Sequence, residues 1–389
     1  MKKVGILSPS IPNKFSKKLR GVNLGGWLVL EKWMTPSIFE GLKATDETSY
    51  CVELGKKAEQ SIKNHWNTFI TAEDFAWLAS IGINAVRIPI GHWLFAPDYP
   101  YHSAYGSLTY PYVEGGLAIL DNAFGWAERY GLSIVLDLHA APGCQNGFDN
   151  GGIQDVCEWH TKEEYINYSL LTLERLAERY YNRSVLHGIE VLNEPRWDID
   201  TSLLKKYTTE AYHRIRKYCR AEDVAIIFHD GFRSFHEYEG FLITSEFSNV
   251  VLDIHRYQCF VQSDIDLDIY GHLRISIDDW RQQADDINAN LGHSVYLGEW
   301  SLGLHLKFIS LWAEGPVKDK LQAMDGFQKS LAYRAYAATQ LMTFEKYAGW
   351  FFWSYKTETT PAWCFRDCVE RGWLPSNFDS ASIDENFLS

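Results

Sequence analysis

The sequence lacks the features by which membrane and nucleic-acid-binding proteins are recognised. No apolar run approaches the roughly 20 residues of a membrane-spanning helix, and the one basic stretch, Lys14 to Arg20, is short. The net charge is −13 at pH 7. Because nucleic-acid binding depends on lysine and arginine that neutralise phosphates, this charge argues against such a partner.

The cysteines are few and poorly placed for a metal. None of the seven stands in a CxxC motif, so the sequence does not predict a zinc site. Their number is odd, so at least one thiol is free or pairs between chains. Cys144 with Cys157, or Cys364 with Cys368, would be bridge partners in a secreted protein, and the sequence does not choose between these arrangements.

The ends and the middle of the chain lack other signals. Residues 1–9 begin as a signal peptide does, but their apolar run is too short for one. Two locations stay open: the protein is secreted if a leader has been removed, and otherwise intracellular. Because no Pro/Gly/Ser-rich linker divides the chain, we predict a single domain over 1–389, with a lead-in at 1–18 and a tail at 366–389.

Aromatic residues, in contrast, are abundant. They form 15% of the chain and include 15 tryptophans. Many of these rings must fill the core, and a chain of this length can bury a large one. A surplus of this size also suits a surface that stacks on flat apolar faces, such as those of sugar rings.

Short apolar runs, rich in β-branched and aliphatic residues, alternate with longer segments of helical periodicity. Runs of this kind are typical of parallel strands that are covered on both faces. We predict eight strands, at 19–26, 83–90, 133–140, 186–194, 224–230, 250–257, 294–299 and 349–355.

The segments between the strands carry helix signals. Thr71 and the acidic residues after it mark one start, and Thr161 is predicted to open a capping box. Residues 234–242 offer only a poor helix. The predicted helices cover 75–81, 115–130, 165–181, 201–220, 276–291 and 325–347.

Eight strands that alternate with helices indicate a (β/α)8 TIM barrel of the α/β class. A doubly wound sheet would need a GxGxxG turn after the first strand, and Gly25-Gly26 does not match it. Long loops are predicted at the carboxyl ends of strands one, two, three and seven. They span 27–65, 92–114, 141–160 and 302–324.

In such barrels the active site forms at the carboxyl ends of the strands. Polar residues are unexpected there, because the strands themselves are apolar. The strand ends carry acids, bases and aromatic rings, as hydrolysis of a sugar acetal requires. They are Asn23, Arg87, His139, Asn193, Glu194, His229, His255, Tyr257, Glu299 and Trp353.

Two of these residues are candidate catalytic carboxyl groups. Glu194 and Glu299 end the fourth and seventh strands, so they can face each other across the barrel mouth. Glycoside hydrolysis needs one protonated and one ionised carboxyl group, about 5 Å apart for retention and ~6.5–9.5 Å apart for inversion. We expect Arg87 and Tyr257 to hold Glu299 ionised, and the negative field of Glu299 to favour protonated Glu194.

Asn193 and Glu194 are adjacent, so an ideal strand would point them to opposite faces. Placing both in the site requires a bend, which the following Pro195 favours. His255 and Tyr257 are two residues apart and therefore share one face of their strand.

The ordered strand-end motifs resemble glycoside hydrolase family 5, over about residues 19–365. The resemblance implies a (β/α)8 barrel and a retaining double displacement without metal or cofactor. It also implies that Glu194 is the acid/base and Glu299 the nucleophile. Arg87, His139, Asn193, His255, Tyr257 and Trp353 would then line the subsite of the cleaved glucosyl unit. The motifs are Gly21 to Trp27, Val86-Arg87-Ile88-Pro89, Leu136-Asp137-Leu138-His139, Leu192-Asn193-Glu194-Pro195, His255-Arg256-Tyr257, Gly298-Glu299-Trp300 and Phe352-Trp353-Ser354.

Other segments are similar to fungal-type exo-β-1,3-glucanases, notably 27–37 and 141–150. This likeness implies that Glu31, Asp149 and Asn150 grip the terminal sugar and close a pocket. It also implies that Phe148 and Phe260 clamp the next sugar. Two positions depart from the pattern: Cys144 replaces a small hydroxyl residue, and Arg256 replaces a histidine.

The sequence thus predicts a retaining hydrolase that releases glucose from the non-reducing end of β-1,3-glucan. Endo-acting or other-linkage β-glucanases, β-glucosidases for steryl or aryl glucosides, and an inactive carbohydrate-binding protein stay open as alternatives. We expect a β-glucan or β-glucoside as the partner, no nucleic acid, no membrane span, and a monomer.

Overall fold

The protein is a closed barrel of eight parallel strands. A computed structural model describes residues 14–95, 111–304 and 326–379. Each strand pairs with its neighbours in chain order, and the eighth strand pairs with the first to close the barrel. The strands are β1 (Leu19–Asn23), β2 (Ala85–Gly91), β3 (Ser133–Ala140), β4 (Leu186–Glu190), β5 (Ala225–His229), β6 (Val250–Arg256), β7 (Ser294–Trp300) and β8 (Gly349–Phe352).

The predicted order of strands and the TIM barrel are therefore confirmed. Three predicted strands extend three or more residues too far, because β1 stops at Asn23, β4 at Glu190 and β8 at Phe352; the predicted fifth and sixth strands extend one residue too far. Beyond these points regular pairing stops, although single backbone hydrogen bonds to the neighbouring strands continue, such as those from Leu24 to Arg87 and from Asn193 to Leu138. Apolar residues continue after each true end, so the sequence pattern does not mark where pairing stops.

Helices cover the barrel between the strands. The helix Ala72–Ser80 begins with a capping box between Thr71 and Asp74. The capping box predicted at Thr161 is wrong, because Lys162 is the N-cap of the helix Glu163–Tyr180 and the Thr161 hydroxyl donates to Glu158 O. The described helices are α1 (Glu47–Leu54), α2 (Ala58–Thr68), α3 (Ala72–Ser80), α4 (Gly116–Tyr130), α5 (Glu163–Tyr180), α6 (Thr201–Arg216), α7 (Gln262–Ile265), α8 (Ile269–Arg274), α9 (Trp280–Asn290), α10 (Gly326–Phe344) and α11 (Phe365–Glu370).

The fifth and sixth units differ from regular strand–helix repeats. After β5 the chain forms only a short 3-10 turn, Phe235–Tyr238, as the poor periodicity indicates. After β6 the helical segment starts earlier than predicted, at Ile269, and passes through one π-turn, Ile275–Asp279.

The interior of the barrel changes from apolar to charged along its axis. At one end, residues from seven strands form a buried apolar cluster that includes Ala85, Val135 and Val251. Two residues further along the same strands, and so on the same faces, stand Arg87, Asp137 and Asp253, all buried. The apolar cluster therefore forms the floor on which a charged layer rests.

Some predictions concern segments that the structure covers in part. The loops predicted at 92–114 and 302–324 lie partly outside the described residues, as do the lead-in and the tail. The single domain over 1–389 therefore stays a prediction. All seven cysteines are free thiols, so neither candidate bridge forms. No described helix is long and apolar enough to cross a membrane.

Candidate active site

Arg87, on β2, organises the barrel mouth. Its guanidinium is buried, and its N–H groups are directed to five side chains. Nε donates to Glu190 at 2.7 Å; Nη1 donates to Asn23 Oδ1 at 2.9 Å and Glu299 Oε1 at 3.2 Å. Nη2 donates to Asn193 Oδ1 at 2.8 Å and lies 3.1 Å from Asp137. One rigid fork thus fixes polar groups from β1, β3, β4 and β7.

The two predicted carboxylates meet across the mouth. Tyr257 donates to Glu299 Oε2 at 2.7 Å, and His255 Nδ1 donates to Glu194 Oε1 at 2.6 Å. The same Nδ1 lies 3.4 Å from Glu299 Oε2. The two glutamate oxygens can therefore be no further apart than the sum of these two distances, about 6 Å. The predicted contacts of Arg87 and Tyr257 with Glu299 are present.

A bend after β4 brings neighbouring residues into the same site. Glu194 has a φ of 44°, the left-handed region that non-glycine residues seldom adopt. Asn193 consequently reaches Arg87 while Glu194 reaches His255. The expected bend before Pro195 is confirmed, and the strained backbone at Glu194 is what allows adjacent residues to face one centre.

The charges around the pair set the pKa of each carboxyl group. Burial favours neutral Glu194, but the hydrogen bond and charge of His255 outweigh it, so the pKa of Glu194 is lowered. Burial and the Glu194 carboxylate raise the pKa of Glu299, against the attraction of His255. Burial also opposes a charged His255, yet the nearby Glu299 and Asp253 raise its pKa well above the usual value.

The expectation that the field of Glu299 keeps Glu194 protonated is therefore wrong for the free site. The sequence placed His255 at the same mouth but did not show that Nδ1 would lie 2.6 Å from Glu194. The lowered pKa of Glu194 and the raised pKa of His255 favour a proton on His255, one short hydrogen bond away from Glu194.

Three predicted binding residues present buried polar atoms that have no partner within the described residues. They are Glu31 Oε1, His139 Nε2 and Asn193 Nδ2. The Nδ1 atom of His139 donates to Asp137 at 2.6 Å, and its ring stacks on Trp353 with centroids 5.3 Å apart. Because buried polar atoms are nearly always paired, such atoms at one mouth indicate places where a polar ligand binds.

Glu31 and Asp149 add a second acidic pair to the site. Burial, and then the charge of Asp149, raises the pKa of Glu31 well above its usual value; Glu299 and Glu194 act in the same direction. Burial likewise raises the pKa of Asp149 to about 6. The Trp33 indole donates to Glu31 Oε2 at 3.0 Å. The structure thus brings Glu31 and Asp149 together beside the two glutamates.

The loops that carry this second pair are tied to each other. Thr48, in the first turn of α1, donates its hydroxyl to Gly152 O, in the loop after β3, at 2.6 Å. The Asp46 side chain accepts from the Gln154 N–H at 3.1 Å. The backbone of Asp46 also forms an isolated antiparallel β-bridge with that of Glu31. These bonds hold the two segments together next to Glu31 and Asp149.

The remaining predicted contacts lie further out. Asn150 Nδ2 is 3.5 Å from Glu194 Oε2. Phe148 and Phe260 are exposed at 38% and 60%, as rings that contact a ligand must be. Phe260 packs 5.3 Å from Tyr257, and Trp363 stacks on Tyr257 at 5.1 Å. Trp363 was missed because it follows the last strand, where no strand-end rule points to it.

Sequence reasoning also missed three buried acids below the site. Each accepts a hydrogen bond from a residue of the site: Asp137 from His139, Glu190 from Arg87, and Asp253 from His255. Each histidine follows its aspartate by two residues on one strand, so Asp-x-His on β3 and β6 was a signal that could have identified both pairs.

Glu194, His229 and His255 present ligand atoms within 4.8 Å of one another, as a metal site would. The positions of the protons on the two histidine rings argue against metal binding here. His255 directs both ring nitrogens at carboxylates. His229 Nδ1 accepts from the Gly231 N–H at 2.8 Å, so Nε2 carries the ring proton and offers no lone pair. These three side chains are therefore arranged for hydrogen bonding and proton transfer.

Arg87→Ala should be strongly destabilising. It would leave Asp137, Glu190 and Glu299 buried without their cation, which costs about 3–5 kcal/mol for a broken buried pair. Chemical denaturation should show a lower midpoint. Arg220→Ala, which removes an exposed pair with Asp223, should leave the midpoint nearly unchanged. Equal midpoints for the two variants would contradict the organising role of Arg87.

Comparisons with known proteins agree with this geometry. A family model described as Cellulase (glycosyl hydrolase family 5) matches residues 49–358. A glucan 1,3-beta-glucosidase of Blumeria graminis is 35% identical, over 95% of this chain and 89% of its own length. The glucan 1,3-beta-glucosidase 2 of Wickerhamomyces anomalus is 33% identical, over 93% and 89%. A crystal structure of rutinosidase from Aspergillus niger shares the fold, with a TM-score of 0.75 at 20% identity over 94% and 99% of the two chains.

Proposed function

Because the chain belongs to glycosyl hydrolase family 5 and is thus a glycosidase, we propose that it releases glucose from the non-reducing end of β-1,3-glucan with retention. One observation carries the proposal: two buried carboxylates stand among unpartnered polar groups, with Glu194 Oε1 and Glu299 Oε2 no more than about 6 Å apart. That spacing suits direct attack by one carboxylate and leaves too little room for the water that inversion requires.

We assign the nucleophile to Glu299. Its two oxygens accept from Arg87 and Tyr257, which hold the carboxylate in place and stabilise its charge. In the first step a Glu299 oxygen bonds to the anomeric carbon while the bond to the glycosidic oxygen breaks. The leaving oxygen takes a proton from Glu194.

His255 supplies that proton to Glu194. Its Nδ1 lies 2.6 Å from Glu194, against 3.4 Å from Glu299, so the short path leads to Glu194. In the second step Glu194 accepts a proton from water, whose oxygen attacks the anomeric carbon and releases Glu299. Asn193 has its Oδ1 fixed by Arg87, which leaves Nδ2 free to donate to the 2-hydroxyl of the sugar.

The exo mode is supported by the contacts between two segments at one side of the mouth. The loops after β1 and β3 are hydrogen-bonded to each other beside Glu31 and Asp149. A chain end fits against such a wall, whereas a continuous glucan would need an open groove. With raised pKa values, Glu31 and Asp149 can donate to and accept from the hydroxyls of a terminal glucose. The relatives that carry the name glucan 1,3-beta-glucosidase support the linkage.

Laminarin hydrolysis tests both parts of the proposal. Glucose should be the only early product by chromatography, and proton NMR within the first minutes should show it as the β-anomer. Glu299→Gln serves as the control for a contaminating glycosidase. Early laminari-oligosaccharides would overturn the exo mode, and early α-glucose would overturn retention.

A further inference from the structure

Asp253, on β6, contacts both sides of the reacting pair without touching either glutamate directly. It is buried, and each of its oxygens has a separate partner. Oδ1 accepts from the backbone N–H of Gly298 at 2.6 Å, and Oδ2 lies 3.3 Å from His255 Nε2. Gly298 immediately precedes Glu299, and His255 is the hydrogen-bond partner of Glu194.

The contact with Gly298 lies where the sheet is irregular. The register between β6 and β7 shifts at His255, and the register between β7 and β8 shifts between Leu297 and Trp300. Such a bulge re-aims the side chain beside it. A Cβ at Gly298 would lie 2.0 Å from Asp253 Oδ2, so only glycine admits this carboxylate. Asp253 therefore holds the backbone that directs Glu299 into the mouth.

The contact with His255 fixes the tautomer of the ring. A carboxylate at Nε2 keeps a proton on that nitrogen, since an ionised carboxylate only accepts. The mobile proton of the ring must then sit on Nδ1, the atom 2.6 Å from Glu194. Without Asp253, the neutral ring can hold its single proton on Nδ1 permanently, and Glu194 then faces a donor that has no further proton to give.

From these two contacts we propose that Asp253 is a positioning residue for both catalytic steps. It aims Glu299 through Gly298, and it directs the proton of His255 towards Glu194. The proposal rests on the function proposed above, and it adds the residue that couples the two glutamates.

Other charges also face His255, and the test must separate them from Asp253. Glu194 on the segment after β4, Glu299 on β7 and Asp253 itself surround the ring with negative charge. His229 on β5 packs edge-on at 4.3 Å, and its pKa is lowered well below the usual value by burial and by the charges of His255 and Arg87, so it stays neutral. Arg87 on β2 lies 3.9 Å from Asp253.

Asp253→Asn is the direct test. Its oxygen can still accept from Gly298, but its NH₂ group then faces His255 Nε2 and favours the wrong tautomer. Because the negative charge is lost, the proton leaves the His255–Glu194 pair at lower pH. The alkaline limb of the kcat/KM profile on laminaribiose should move about 1–3 pH units towards acid. Above that limb the rate should fall by roughly 10²-fold, the scale of general acid catalysis.

A substrate that needs no proton provides the matched comparison. 2,4-Dinitrophenyl β-glucoside carries an activated leaving group, so the burst of dinitrophenol from Asp253→Asn should stay close to that of the wild type. Gly298→Ala should reduce the rates on both substrates alike, since a Cβ at this position displaces the neighbouring Glu299. If Asp253→Asn loses activity on both substrates and its kcat/KM profile does not shift with pH, Asp253 has only a structural role and the proposal is overturned.

Asp230→Asn controls for the loss of a buried negative charge. Asp230 is also a buried aspartate at a strand end, but it accepts from the Phe232 N–H and lies 3.5 Å from His229. The alkaline limb of the kcat/KM profile of Asp230→Asn should shift by less than half as much as that of Asp253→Asn. Equal shifts in the two variants would show a general field effect and contradict the contact that we propose.

A readout independent of activity distinguishes failure of this inference from failure of the proposed function. In ¹⁵N-histidine NMR of the wild type, with His255 assigned from His255→Gln, Nε2 should keep its proton throughout the titration while Nδ1 loses one. An Nε2 that loses its proton first would overturn the role of Asp253 even in an active enzyme. This measurement also decides the case if Asp253→Asn does not fold.

Discussion

Glu299→Ala should remove turnover of laminarin almost completely, with a loss on the order of 10⁵-fold or more, because only binding and electrostatic effects remain without the nucleophile. The variant has space where the carboxylate stood, beside Arg87 and Tyr257. A small anion such as azide can enter that space and attack the anomeric carbon of 2,4-dinitrophenyl β-glucoside. The product should be α-glucosyl azide, since a single displacement inverts the configuration.

The isosteric Glu299→Gln variant separates loss of chemistry from loss of fold. The pKa of Glu299 is raised by burial and by Glu194, so the ionised form destabilises the folded state once the pH exceeds the value in the unfolded chain. Removing the charge relieves this cost at pH 7. Its melting temperature should therefore equal or exceed that of the wild type. A β-glucosyl azide product from Glu299→Ala, or an unfolded Glu299→Gln, would refute the assignment.

Glu194→Ala should lose activity in proportion to how much the leaving group needs a proton. On laminaribiose the loss should be about 10²–10⁴-fold, the usual contribution of general acid–base catalysis. On 2,4-dinitrophenyl β-glucoside the first step should stay fast, and the glucosyl-enzyme should accumulate because water lacks its base. A burst of dinitrophenol in stopped-flow absorbance would report this accumulation. Azide, which needs no base, should restore turnover and give β-glucosyl azide.

The stability of Glu194→Gln should change in the opposite direction to that of Glu299→Gln. The hydrogen bond from His255 lowers the pKa of Glu194 despite burial, so its carboxylate stabilises the fold above the unfolded pKa. That contribution disappears as the pH falls through the lowered pKa. At pH 7 Glu194→Gln should therefore melt below the wild type. Equal losses on both substrates for Glu194→Ala would instead show that Glu194 only binds.

Much of the barrel could be predicted because its strands are nearly continuous apolar runs with helices between them. Strand ends were less predictable: β4 stops at Glu190, although the apolar pattern continues to Leu192. Regular pairing ends there, although the Val191 and Asn193 N–H groups still donate to Ile227 O and Leu138 O, and hydrophobicity does not record this change. The capping box predicted at Thr161 does not form because the Thr161 hydroxyl donates to the Glu158 carbonyl and does not cap the helix that follows.

The sequence by itself determined the set of groups at the site, because barrel geometry brings all strand ends to one mouth whatever the loops do. Glu194, Glu299, Arg87 and Tyr257 could be placed together on that rule alone. Only the tertiary structure decided which group holds the proton, because a pKa depends on individual distances of a few ångströms in a buried, weakly screened site. His255 lies 2.6 Å from Glu194, and Asp253 lies behind it. The Asp-x-His pattern points to the second contact, but the first joins residues distant in the chain, and no local pattern in the sequence encodes it.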